Sequence, residues 1–203
     1  MDTQDVAPPL SSVCVFCASS NGVDPEFVAG AQRLGALLAQ GGVRLVYGGG
    51  GVGLMGACAR AAHAEGGDVL GVMPTFLKSR EMAFDAVRTL FVESMHERKA
   101  IMFQQSDAFA VLPGGIGTLE EVVELLSWRR LNLHRKPIVF LDPGGAYWAP
   151  LFQLMRHTVE QGLTPDWFLN CWRAVQTADE ILPALRDMLM DGLQAAPDAE
   201  SLT

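Results

Sequence analysis

A glycine-rich turn followed by acidic residues is the segment of this sequence best suited to chemistry. It joins a short apolar run to a helical pattern, and it reads Pro113-Gly114-Gly115-Ile116-Gly117-Thr118-Leu119-Glu120-Glu121. Free backbone N–H groups and the positive end of a helix dipole bind anions at such turns, and glycines remove the Cβ atoms that would keep a phosphate away. The Thr118 hydroxyl can also bond to the phosphate. The segment therefore predicts a phosphate site.

Thr118 and Glu121 also fit a purely structural role. Their spacing is that of a capping box, in which each side chain satisfies an unpaired N–H at the start of a helix. A capping box needs no glycine-rich approach, so the glycines favour a binding function for the loop. For Glu121 alone, the residues leave catalysis and capping both open.

A second glycine-rich segment, at residues 48–56, contains G-x-G-x-x-G in two registers between a strand-like run and a helical one. A dinucleotide site also needs an acidic residue at the end of the next strand, where this chain has Val72-Met73-Pro74. No Gly-Lys-Ser/Thr follows, so the segment is not a P-loop either. We interpret it as a tight turn beside a smaller ligand.

One face of a further candidate helix, which begins after Ser94, combines two methionines with two cations, at Met95, Arg98, Lys99 and Met102. This mixture is unusual on a buried face and equally unusual on a solvated one. It suits a pocket for a flat, apolar ligand with a negative group. An amphipathic helix whose cations extend to solvent fits the same spacing.

The histidines and cysteines predict no metal site, because they lack ligand spacing among themselves. Cys14 and Cys17 lie in an apolar run where odd spacing places them on opposite strand faces, so we interpret them as buried residues rather than a redox pair. No Gly-x-Ser-x-Gly elbow supports a serine nucleophile. No cofactor is expected.

Composition narrows the class of protein further. The chain has 203 residues, 49% of them hydrophobic and 19% charged, which suits one compact domain. A net charge of −8 argues against nucleic acid or an anionic membrane as a partner. The first residues lack the basic and apolar regions of a signal peptide, and no apolar run reaches the roughly 18 residues of a membrane span. These features predict a cytoplasmic protein.

Short apolar runs alternate with helical patterns along the chain, which is typical of βαβ units. Strands are predicted at residues 12–17, 44–47, 68–73, 88–93, 108–112, 137–141 and 172–175. Helices are predicted at 25–40, 54–65, 95–105, 119–131, 147–161 and 178–190. We therefore expect a single Rossmann-like α/β domain over 10–190, with a doubly wound, mostly parallel sheet flanked by helices and flexible termini at 1–9 and 191–203.

Both glycine-rich loops follow predicted strands. In an open parallel sheet the ligand site lies beyond the carboxyl ends of the strands. We therefore expect the two loops to converge on one crevice.

Three motifs together resemble the LONELY GUY family of cytokinin-activating phosphoribohydrolases. They are the Pro113–Glu121 segment above, Met95-His96-Glu97-Arg98-Lys99, and Tyr47-Gly-Gly-Gly-x-x-Gly-Leu-Met-Gly56. The resemblance runs from about Ser12 to about Leu185. It implies a homodimer that hydrolyses the N-glycosidic bond of N6-modified adenosine 5′-monophosphates, releasing free base and ribose 5-phosphate.

Carried over by motif, the resemblance implies that Arg98 and Glu121 are catalytic. It implies substrate contacts by Glu81, Lys99, Gly114, Gly115, Ile116, Gly117, Thr118, Leu119, Glu120 and Ser127. Glu81 lies in Ser79-Arg80-Glu81, where the family usually has proline before the arginine, and Ser127 stands where plant members have threonine. Our hypothesis adds Met95 and Met102 as contacts to the flat base.

Three other functions were weighed against this one. Some family members carry the label lysine decarboxylase, but Lys99 lies beside Arg98 without an evident pyridoxal phosphate site. Related Rossmann-like proteins carry nucleotides or molybdenum cofactor without hydrolysing them, whereas retention of both Arg98 and Glu121 favours an enzyme. AMP hydrolysis in purine salvage remains an alternative that the sequence does not separate from cytokinin activation.

Overall fold

The computed structural model describes residues 10–194, so the predicted flexible segments at 1–9 and 195–203 lie outside the described residues. The described chain forms seven β-strands: β1 Ser12–Phe16, β2 Arg44–Tyr47, β3 Val69–Pro74, β4 Arg88–Val92, β5 Ala108–Val111, β6 Ile138–Leu141 and β7 Arg173–Val175. Its α-helices are α1 Pro25–Gln40, α2 Gly53–Ala64, α3 Lys78–Glu81, α4 Met95–Gln104, α5 Ile116–Arg130, α6 Ala149–Glu160 and α7 Ile181–Gln194.

All seven strands form one sheet in the order β4-β3-β2-β1-β5-β6-β7, and every neighbouring pair is parallel. The predicted Rossmann-like fold is therefore confirmed. The strand order reverses between β1 and β5, which pair in register from Val13 with Ala108 to Phe16 with Val111. A crevice opens beyond the carboxyl ends of the strands at such a reversal, and ligands bind there in this class of fold.

The sheet is covered on both faces, which explains why its strands are apolar at consecutive positions. Val13 and Val15 of β1 pack into the layer formed with α1, α2 and α7, whereas Cys14 and Phe16 pack into the opposite layer with α4 and α5. Cys17 belongs to the first layer, so the prediction that Cys14 and Cys17 lie on opposite faces is confirmed. Both thiols are buried and unpaired.

Three helices, α5, α6 and α7, have a boundary that differs by two or more residues from the sequence-based expectation. Helix α5 begins at Ile116, three residues early, because Gly115 with φ −88° and ψ −155° starts the helix without a capping side chain. Tyr147 lies in a loop before α6. Residues 178–180 form a 3₁₀ turn closed by a Thr177–Glu180 capping box, and α7 continues to Gln194, so residues 191–194 are helical rather than flexible.

Candidate active site

A cavity of about 200 Å³ lies at the carboxyl ends of β1 and β5. Four segments supply most of its wall: the end of β1 with the following loop, the loop after β2, helix α4, and the first turns of α5. The predicted convergence of the two glycine-rich loops is confirmed, since both contribute lining residues. The lining residues are Val15, Phe16, Cys17, Ala18, Ser19, Ser20, Gly48, Met55, Glu81, Arg98, Met102, Gly115, Ile116, Gly117, Thr118 and Glu121.

The turn between β5 and α5 presents open backbone to this cavity. A Cβ added at Gly115 or Gly117 would meet no atom within 4 Å. The first N–H groups of a helix have no acceptor within the helix. In α5 the first N–H that has such an acceptor is that of Leu119, which donates to the Gly115 carbonyl at 3.0 Å. The preceding N–H groups and the positive helix end are therefore placed where they could bind an anion.

The capping-box interpretation of Thr118 and Glu121 is wrong. Gly115 occupies the N-cap position, and no side chain caps α5. Thr118 is the third residue of the helix, is 4% exposed and lines the cavity, while a Cβ at Gly114 would collide with its side chain. Glu121 is the sixth residue of the helix rather than the third, so its carboxylate is free for another role.

Arg98 and Glu121 form a buried ion pair at the cavity wall. Arg98 Nη2 lies 3.9 Å from Glu121 Oε1, and the two side chains are only 7% and 10% exposed. The same Nη2 donates to the Gly48 carbonyl at 3.4 Å. A Cβ at Gly48 would collide with this Nη2, so a larger residue there would displace the guanidinium. Arg98 Nε has no hydrogen-bond partner among the described residues, which leaves a donor available beside the cavity.

The environment of Glu121 brings its titration close to neutral pH. Burial raises the pKa of this carboxyl to about 7, although the positive charge of Arg98 opposes the rise. The nearby carboxylates of Glu120 and Glu81 raise it further. A carboxyl group with a pKa near the working pH can both accept and return a proton, as general acid–base catalysis requires.

Glu81 reaches the cavity from α3, a four-residue helix that sequence analysis missed. Its Oε2 is buried without a hydrogen-bond partner in the described part of the chain. Burial raises the pKa of Glu81 above its usual value, and Arg98 opposes that rise. The segment is held in place by the Gly51 N–H, which donates to the carbonyls of Glu81 at 3.0 Å and Met82 at 2.7 Å.

The mixed face of α4 divides into two pairs of residues. Arg98 and Met102 line the cavity, which supports the pocket interpretation for these two. Met95 is half-buried, and its Sδ lies 3.9 Å from Arg98 Nη1. Ser94 caps the helix, because its Oγ accepts from the Glu97 N–H at 3.1 Å.

Lys99 is directed toward α5 rather than into the cavity. Its ammonium pairs with Glu120 and lies 2.8 Å from Glu124 Oε2. Burial alone would lower the pKa of Lys99, but the hydrogen bonds to these two carboxylates raise it above the usual value. A lysine held in its charged form is unsuited to act as a nucleophile. The three side chains therefore connect α4 to α5.

The remaining predicted contacts, Gly114, Leu119, Glu120 and Ser127, are not among the cavity-lining residues. Glu120 is exposed and engaged by Lys99, and Leu119 is half-buried. Ser127 is exposed about 9 Å further along α5 than Glu121, given the rise of 1.5 Å per helical residue. Direct contact of these residues with a ligand in the cavity stays a prediction.

Sequence analysis missed the loop after β1. Cys17, Ala18, Ser19 and Ser20 line the cavity opposite α5, and Met55 closes it from α2. The Ala18 N–H donates to the Pro113 carbonyl at 3.1 Å, so this loop is bonded to the glycine-rich turn. A run of small residues directly after a buried central strand was the available signal.

Comparison with known proteins connects this site to a family. A family model described as "Possible lysine decarboxylase" matches residues 55–185. The cytokinin riboside 5′-monophosphate phosphoribohydrolase LOG7 of Arabidopsis thaliana is 44% identical over 151 residues, which are 74% of this chain and 69% of that protein. The chain belongs to the LONELY GUY family. LOG3 of the same plant is 39% identical over 176 residues, covering 86% and 81% of the two chains.

Solved structures outside the LONELY GUY enzymes share the fold alone. The molybdenum cofactor carrier protein of Chlamydomonas reinhardtii superimposes with a TM-score of 0.66 at 21% identity, covering 90% of this chain and 99% of that one. The molybdenum cofactor binding protein of Rippkaea orientalis gives a TM-score of 0.64 at 20% identity, over 89% and 98%. Proteins with other functions therefore share this fold, so function has to be inferred from the residues of the site rather than from the fold.

Residues 10–194 contain neither a cluster of potential metal ligands nor a helix suited to crossing a bilayer. This part of the chain contains no group of three or more histidine, cysteine, aspartate or glutamate residues placed to hold a metal ion. None of its helices combines the length and the apolar character needed to cross a bilayer.

Proposed function

We propose that this protein hydrolyses the N-glycosidic bond of N6-modified adenosine 5′-monophosphates, and of AMP, to free base and ribose 5-phosphate. The observation that carries the proposal is the buried Arg98–Glu121 pair in the same cavity as the open turn at Gly115 and Gly117. Membership of the LONELY GUY family supports the same reaction.

The substrate phosphate would bind at the first turn of α5. Unpaired N–H groups, the Thr118 hydroxyl and the helix dipole all favour an anion there. Binding the end of the substrate that does not react supplies energy to place the ribose C1′ beside Glu121. The negative net charge of the chain is no obstacle, because the favourable charges are local.

At the reacting carbon, the C1′–N9 bond breaks and its electron pair leaves with the base. Positive charge develops on C1′ and the ring oxygen, where the ionised Glu121 carboxylate would stabilise it. The oxygen of a water molecule then bonds to C1′ while its proton passes to Glu121, which can return it to the base. Arg98 orients Glu121 and has Nε available to donate to the departing base.

Other lining residues suit the remaining parts of the substrate. Glu81 has an unpartnered carboxylate oxygen that can accept hydrogen bonds from the ribose hydroxyls. Met102 offers a polarisable, apolar surface to the flat base, and Met95 would extend that surface after a side-chain movement. Lys99 and Glu120 would act chiefly by holding α4 against α5, so that Arg98 and Glu121 stay paired.

Incubation of the purified protein with isopentenyl-AMP and with AMP tests the proposal directly. Release of equal amounts of base and ribose 5-phosphate from the first substrate, quantified by chromatography, is the expected result. Preference for AMP would indicate purine salvage. Binding of either nucleotide without base release would contradict hydrolysis and indicate a carrier.

We also propose that the protein is a cytoplasmic homodimer, as the family resemblance implies. Val123 of α5 and Leu131, the residue that follows this helix, are about half exposed, at 46% and 52%, which is consistent with an interface there. Multi-angle light scattering at about 44 kDa, twice the 21.9 kDa chain mass, would support the dimer, and a value near the chain mass would contradict it.

A further inference from the structure

We propose that Tyr147 is a positioning residue for the phosphate-binding turn. Tyr147 lies in the loop between β6 and α6, outside the cavity wall, and its hydroxyl donates to the Gly114 carbonyl at 2.6 Å. The inference rests on the proposed function, since it assigns to the turn the substrate's phosphate. It adds a residue that contacts neither the phosphate nor the reacting atoms.

The bond acts through the geometry of one peptide unit. In a trans peptide the C=O of one residue and the N–H of the next point in opposite directions. A Gly114 carbonyl held toward Tyr147 therefore directs the Gly115 N–H away from Tyr147, on the side where Gly115 lines the cavity. The hydroxyl thus selects the orientation that presents a donor, rather than an acceptor, to an anion.

Glycine makes such an external bond necessary. The Gly114–Gly115 peptide has no Cβ on either side, so its backbone rotates more freely than that of any other pair of residues. A rotated peptide would turn the carbonyl dipole toward the phosphate and weaken its binding. The Pro113 carbonyl is already engaged by the Ala18 N–H at 3.1 Å, so Tyr147 completes the restraint of the turn.

Tyr147 is itself held by its own loop. Asp142, which is 4% exposed, accepts through Oδ1 from the N–H groups of Tyr147 at 2.8 Å and Trp148 at 3.1 Å. The tyrosine ring meets Phe27 edge-on at 5.3 Å and Trp148 at 5.0 Å. Strand β6, which precedes the Tyr147 loop, pairs with β5, which leads into the glycine-rich turn. The Tyr147 loop therefore lies beside the turn.

The Tyr147→Phe variant tests the inference, because it keeps the ring and removes only the hydroxyl. We expect the KM for isopentenyl-AMP to rise about three- to tenfold, the usual range for loss of one hydrogen bond, with kcat within about twofold of the wild type. The inhibition constant of inorganic phosphate should rise by a similar factor. A residue that only stabilised the fold would lower Tm and leave both constants unchanged.

Thr158→Val is the matched control. It removes another hydroxyl that donates to a backbone carbonyl, that of Met155 at 2.8 Å, but within α6 and away from the cavity. We expect KM, kcat and phosphate inhibition to stay at wild-type values in this variant. A KM that rises equally in both variants would overturn the inference.

A milder variant covers the case in which Tyr147→Phe does not fold. Phe27→Leu leaves the hydroxyl in place but removes the edge-on ring beside it, and Phe27 is only half-buried. It should raise KM about twofold without lowering kcat, and an unchanged KM would overturn the inference. Wild-type protein that binds phosphate but releases no base would contradict the proposed function instead, and phosphate affinity would still report on Tyr147.

Discussion

Two glycine-rich loops border the cavity, one after β2 at residues 48–56 and one after β5 at 113–117, and they use glycine for opposite reasons. In the first loop, a Cβ at Gly51 or Gly56 would collide with backbone atoms of the protein itself. In the second, a Cβ at Gly114 would collide with the Thr118 side chain, but a Cβ at Gly115 or Gly117 would meet nothing within 4 Å. The first loop is closed by its own chain, whereas the second is open toward a ligand.

The backbone N–H groups show the same difference. In the first loop the Gly53 N–H donates to Asn21 Oδ1 at 3.2 Å, and the next two N–H groups, of Leu54 and Met55, donate to the Ala18 carbonyl at 3.0 and 3.3 Å. In the second loop the helix start leaves its donors for an external acceptor. A glycine motif therefore indicates a phosphate site only when its N–H groups and the space around its Cα atoms remain free.

The largest expected effect comes from Glu121→Gln, at the end of the open loop. Loss of the carboxylate should lower kcat by about 10²- to 10⁴-fold, the usual contribution of a general acid or base, with a modest change in KM. Steady-state kinetics with isopentenyl-AMP measure the effect. Unchanged turnover in the folded variant would exclude the assigned role of Glu121.

Gly53→Ala tests the closed loop and should act on stability. Gly53 has φ +59°, and a Cβ there would lie 2.7 Å from the Ser19 carbonyl carbon and 2.7 Å from the Ser20 carbonyl oxygen. We expect a loss of about 2–4 kcal/mol in the free energy of unfolding, from backbone strain plus overpacking. Denaturant unfolding monitored by circular dichroism measures this loss.

Gly66→Ala is the matched control for that variant. Gly66 has φ +74° but nothing within 4 Å of an added Cβ, so it reports the cost of the backbone conformation alone. We expect about 1 kcal/mol there. Equal losses in the two variants would show that the first loop is not closely packed around Gly53.

Gly117→Ala should have the opposite pattern to Gly53→Ala. Gly117 is the second residue of α5 with open space around it, so alanine should stabilise the helix by about 0.5–1 kcal/mol. The added methyl should nevertheless obstruct the phosphate and raise KM about tenfold. A variant with higher Tm and unchanged KM would show that the phosphate binds elsewhere.

The smallest expected effect is a pH dependence. With a Glu121 pKa of about 7, the ionised fraction rises about threefold between pH 6.5 and 7.5, and kcat/KM should rise with it. The residual rate of Glu121→Gln should not show this rise. A wild-type profile that is flat across the interval would contradict a catalytic carboxylate with this pKa.

The same titration affects stability with a definite sign. The folded state holds a proton on Glu121 up to about pH 7, whereas the unfolded chain releases it near pH 4.5, the ordinary pKa of a glutamate. The folded protein therefore binds more protons between these values, and wild-type stability should fall as the pH rises through the interval. The Glu121→Gln variant should lack this loss of stability with rising pH. In thermal melts, its Tm relative to that of the wild type should therefore be higher at pH 8 than at pH 5.

Sequence patterns correctly predicted the order of the strands and the longer helices along the chain. They also predicted that both glycine-rich loops border one crevice. Local spacing also placed Arg98 and Met102 on one face of α4. Spacing did not reveal that Lys99 turns to Glu120 and Glu124, because its partners come from another helix. The Tyr147 hydrogen bond to Gly114, 33 residues away, is likewise set by the neighbouring positions of β5 and β6.

Helix α5 shows why boundaries are harder to predict than elements. The pattern Thr118-x-x-Glu121 matches a capping signal, yet the helix starts at Ile116, since Gly115 adopts the extended conformation that precedes it. Helix α3 is too short for a periodic signal, and its position depends on the Gly51 N–H. The family resemblance implied Glu81 as a contact, but only the folded chain shows the short helix that carries it into the cavity.

The position of each strand in the sheet has a consequence for hydrogen exchange. Local opening begins where few strands pack, so amides in edge strands β4 and β7 should exchange with solvent sooner than those in central β1 and β5. Glu121 lies on α5, which follows the central strand β5, whereas Glu81 arrives on the segment between β3 and the edge strand β4. Partial opening at that edge would therefore withdraw Glu81 from the cavity before Glu121.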